Sequence, residues 1–68
     1  MSEITRDELI KARRNLAQAI VKFRIAERLY QKGKVKSYVY SNAVENVCRK
    51  NATCRNIERY LLQLAQSN

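Results

Sequence analysis

Residues 49–64 read "RKNATCRNIERYLLQL", and whether this stretch is one helix or two decides the fold. Ile57, Leu61 and Leu64 recur at helical spacing, with Tyr60 and Ala65 at the margins of the stripe. Just upstream, Asn51 is a residue that tolerates the left-handed conformation in which helices end, and Thr53 has the side chain of an N-cap. Together they predict a break near Asn51 and a separate helix from Thr53 to about Gln66.

Upstream of that break, Val39, Ala43, Val44, Val47 and Cys48 keep helical spacing as far as Lys50, with Ser37 as N-cap and Ser41 as the alternative. Tyr38, Val39 and Tyr40 favour an extended strand, but a lone short strand has nothing to pair with, so the segment is read as helical. Before it, residues 32–42, "KGKVKSYVYSN", hold the single Gly and three lysines in quick succession, the clearest break in the chain. A first helix runs from Thr5 to Lys32 without a breaker. Thr5 and Glu8 are at capping-box spacing, Asp7 suits the helix dipole, and Gly33 stands where a left-handed C-terminal cap is wanted.

Along this first helix Leu9, Leu16, Phe23 and Tyr30 repeat at seven, and Ala12, Ala19 and Ala26 repeat at seven between them. Such a seam, with a large row and a small row, lets two helices approach closely. It is expected to be a dimer interface; an ordinary amphipathic helix packed within its own subunit is the alternative. Ile10, Ala17, Ile20, Val21 and Ile25 widen the apolar coverage, so the helix is expected to meet both its own chain and a partner. The predicted architecture is all-α. One domain spans residues 1–68, a long N-terminal helix followed by two shorter ones, as a three-helix unit or a hairpin bent near Asn51, dimerising. A chain of 68 residues buries too little surface alone to be more than marginal, which also favours a partner subunit.

Charge points to the partner's chemistry. Lys and Arg number 14 against 6 acids, a net +8, which on so small a body attracts polyanions, nucleic acid foremost. A basic face on an acidic protein partner, as in an inhibitor or immunity protein, is a reading of another class. The apolar runs are too short to span a bilayer, and "MSEITRDEL" lacks the bases and apolar stretch of a signal peptide; the expectation is a soluble, cytoplasmic protein without a membrane partner. There is no His, and Cys48 and Cys54 alone cannot complete a tetrahedral metal site; both are expected as free thiols filling apolar space. Without a paired-carboxylate cluster, a Gly-rich phosphate loop or a partnered nucleophile, no enzyme, cofactor or small-molecule substrate is expected.

Val47, Asn51, Ala52, Thr53, Ile57 and Tyr60 fall at the spacing of the helix-turn-helix, and the last third of the chain resembles that family of DNA-binding regulators, departing from it at Asn46 and Lys50. The resemblance implies a recognition helix in which Thr53, Arg55, Asn56 and Arg59 face the major groove. Lys34, Lys36, Arg49 and Lys50 would add phosphate contacts, with Arg13, Arg14, Lys22, Arg24 and Arg28 as a third basic set. Tyr38 and Tyr40, beside the hinge lysines, are core or rim residues that could instead stack on unpaired bases. The expected function is a dimeric DNA-binding transcriptional regulator. An RNA-binding bundle is the alternative, since the alternating large and alanine layers are similar to those of the small dimeric RNA-binding regulators of plasmid copy number.

Overall fold

A computed structural model describes residues 6–66. They form two α-helices and no strand: α1 spans Arg6–Gln31 and α2 spans Ser37–Gln66. The helices lie side by side as an antiparallel hairpin 54 Å long and 19 by 15 Å across. Thr5, the expected N-cap of α1, lies outside the described residues.

The expected third helix is absent. Asn51 sits inside α2, and among the described residues no side chain-bearing residue has a positive φ. Thr53 does not begin a helix either: its hydroxyl donates to the Arg49 carbonyl one turn back, at 3.1 Å. Two energies explain this. An Asn in a helix interior costs only about 0.7 kcal/mol relative to Ala. A break would instead strip several backbone N–H and C=O groups of their helical partners. The apolar row also runs straight through the site, for Tyr40, Val47, Cys54 and Leu61 repeat at seven along α2. A continuous row facing α1 rewards a continuous helix.

The first helix ends as its sequence predicts. Gly33 adopts φ +71°, its N–H donates to the Tyr30 carbonyl at 3.0 Å, and the Lys34 N–H donates to the Leu29 carbonyl at 2.9 Å. This pair of bonds is the Schellman motif, which satisfies carbonyls the helix end leaves free. α2 then starts at Ser37, one residue earlier than an N-cap there would put it, with the Lys36 carbonyl accepting from the Val39 N–H at 3.0 Å.

The alanine row holds the hairpin together. Ala12, Ala19 and Ala26 retain 7%, 3% and 7% of their exposure, and Cys54 on the facing helix 2%. Small side chains let the two backbones come close, and the Cys54 thiol fills the gap. These alanines, expected at a dimer seam, are thus already covered by the chain's own second helix. At the loop end the Tyr40 ring stacks on Tyr30, centroids 5.2 Å apart, and meets Phe23 at 5.7 Å, a tilted contact. Cys48 is exposed and fills no core, contrary to its expected role.

Candidate nucleic-acid interface

The predicted reading residues share a surface only in part. Successive residues advance roughly 100° around a helix, and α2 is unbroken through 49–59. Asn56 and Arg59 therefore sit on its outer side, facing away from α1. Arg55 lies on one flank of the hairpin, and Lys50 and Thr53 on the other. Arg49 is tied to Glu45 by a hydrogen-bonded ion pair at 3.3 Å. Lys34 and Lys36 project at the tip, 32–36, which has three lysines and no acid. With no turn at Asn51, the helix-turn-helix arrangement in which these residues converge is not formed.

A different convergence takes its place. Lys50 and Thr53 line a shallow groove between the helices together with Lys11, Asn15 and Ala12. Farther toward the tip the same flank is lined by Asn15, Gln18, Lys22, Asn46 and Lys50. Cations and side-chain amides from both helices meet there, with Glu8 at one end. The groove adjoins the outward surface of α1, where Arg14, Arg24 and Arg28 are exposed.

The distribution of acids sharpens this surface. From Leu9 to Ala26, α1 carries Lys11, Arg13, Arg14, Lys22 and Arg24 and not one acidic residue. That acid-free run is about 27 Å long. Arg13 lies 3.9 Å from Glu58, an exposed ion pair, which contributes little to stability. Lys11, Asn15 and Gln18 were not among the residues singled out from the sequence. The acid-free run was readable there, but their sharing of a groove with Lys50 depends on how the hairpin packs.

Tyr40, one of the two tyrosines beside the hinge lysines, is committed to Tyr30 and Phe23. Tyr38 remains 62% exposed. Among the described residues no helix is long and apolar enough to cross a membrane. In comparisons with known protein families, curated proteins and solved structures, nothing matches the chain.

Proposed function

We propose that the protein is a nucleic-acid-binding regulator that acts as a homodimer and grips duplex DNA by its phosphates. The observation that carries this reading is the set of cations on the groove side of α1's acid-free run, Lys11, Arg14 and Lys22, joined across the groove by Lys50. Lys and Arg on such a surface displace the counterions condensed on a duplex, which supplies affinity without reading bases. Asn15, Gln18 and Asn46 in the same groove are donors and acceptors for phosphates, or for an adenine edge where one comes within reach. The lysines of the tip add charge at the end of the rod.

Fluorescence anisotropy with a random DNA duplex tests the reading. Binding should fall steeply with salt, and Arg14→Glu with Lys22→Glu should abolish it while the helical circular dichroism persists. Duplex and loop RNA of matched length serve as parallel arms; stronger binding to either would move the assignment to RNA. Absence of binding to every nucleic acid at low salt would sink the reading and favour an acidic protein partner.

A further inference from the structure

The hairpin is an incomplete fold. Among the described residues no large hydrophobic side chain is fully buried; the core is three alanines and a cysteine. The chain exposes 5787 Å², whereas a compact monomer of 8.0 kDa would expose about 4,450 Å². The excess of roughly 1,300 Å² exceeds the ~800 Å² that one partner contributes to a standard interface.

The two flanks of the hairpin differ in kind. One is the polar groove of Asn15, Gln18, Lys22, Asn46 and Lys50. By helical position the tip-side half of the other flank carries Leu16, Ile20 and Phe23 of α1 beside Tyr40, Val44 and Val47 of α2, all half-buried, with Arg13, Arg55 and Glu58 toward its open end. We infer that this apolar flank is covered by a second copy of the chain, in an antiparallel four-helix bundle with the two tips at opposite ends. The inference deepens the homodimer part of the function proposed above and is independent of what the basic surface binds.

Charge sets the orientation. The parallel alternative would bring both tips, each with Lys32, Lys34 and Lys36 and no acid, to one end of the bundle. The antiparallel one separates them by the length of the rod. Charge also sets the register. Arg13 and Glu27 lie on the apolar flank at equal distances in sequence on either side of Ile20. With Ile20 on the two-fold axis, Arg13 of each copy, 3.9 Å from Glu58 of its own chain, also faces Glu27 of the other. Self-complementarity of this kind is what a two-fold interface requires.

The arrangement has a further consequence. The operation that separates the tips stacks α1 on α1 and α2 on α2. The outward faces of the two α1 helices, with Arg14 and Arg24 exposed, then share one side of the bundle, the two polar grooves lie on its opposite faces, and Cys48, near the level of Ile20 and exposed, approaches Cys48 of the second copy. In the parallel bundle these thiols lie on diagonally opposite helices.

Sedimentation equilibrium of the full chain, with cross-linking by a short-spacer bismaleimide, tests this. The expected result is a dimer that cross-links in high yield through Cys48 and not at all as Cys48→Ser. Glu27→Arg should weaken association roughly tenfold, and the double variant Arg13→Glu with Glu27→Arg should recover most of it. A monomer at tens of micromolar would overturn the homodimer itself. A dimer that fails to cross-link would overturn the antiparallel stacking alone, and failure of the double variant to recover would overturn the register.

Discussion

The Thr53 hydroxyl donates a hydrogen bond to the carbonyl of Arg49 at 3.1 Å, spanning Asn51 without a break in the helix. A pair that could have flanked a turn is instead one turn of a continuous helix. The sign of a substitution at Asn51 follows. In a helix interior, Asn51→Ala should raise stability by about 0.5 kcal/mol and Asn51→Gly should lower it by a few tenths. A left-handed turn would reverse both signs, because Gly has no Cβ to strain there. Thermal denaturation of the two variants decides between them.

Among the described residues, Gly33 is the one whose backbone demands its identity. Its φ is +71°, and a Cβ added there would meet nothing within 4 Å, so the strain of a substitution comes from the backbone alone. Gly33→Ala should cost about 1–2 kcal/mol, and Gly33→Asn less. Chemical denaturation should place the three proteins in that order.

Ala19, 3% exposed, sits where the helices come together. Ala19→Leu should cost about 1–3 kcal/mol by overpacking. Because the contact lies within the chain, part of that loss should persist when protein concentration is varied, which urea titrations at two concentrations would show.

The two thiols should react differently. Cys48 is exposed and Cys54 is 2% exposed. Ellman's reagent on the native protein should modify Cys48 rapidly and Cys54 only on unfolding; equal rates would contradict the seam described here.

Salt should act in opposite directions on the two proposed associations. Two chains of net +8 repel each other, so raising ionic strength should tighten the dimer. The same salt should weaken DNA binding, and neutralising Lys34 or Lys36 should flatten the logarithmic salt dependence by about one unit each if they contact phosphate. Sedimentation and anisotropy across one salt series measure both.

The sequence by itself determined that the chain is helical, that it breaks around Gly33, and that its surface is strongly basic. Each of these is local: the lack of breakers, one glycine at a helix end, and a count of charges. Asn51 and Thr53 misled because caps and turns are also local signals, and each is weak. The row Tyr40, Val47, Cys54 and Leu61, which passes through them, was legible in the sequence and argues for a single helix. Only the tertiary structure decided that the alanine row of α1 faces α2, that Cys54 is covered while Cys48 is not, and that Lys11, Lys22 and Lys50 line one flank. Those facts depend on the rotation of one helix against the other. Periodicity shows that a helix has an apolar stripe; which neighbour covers it is settled by the packing of whole helices, where the closest backbone approach goes to the smallest side chains.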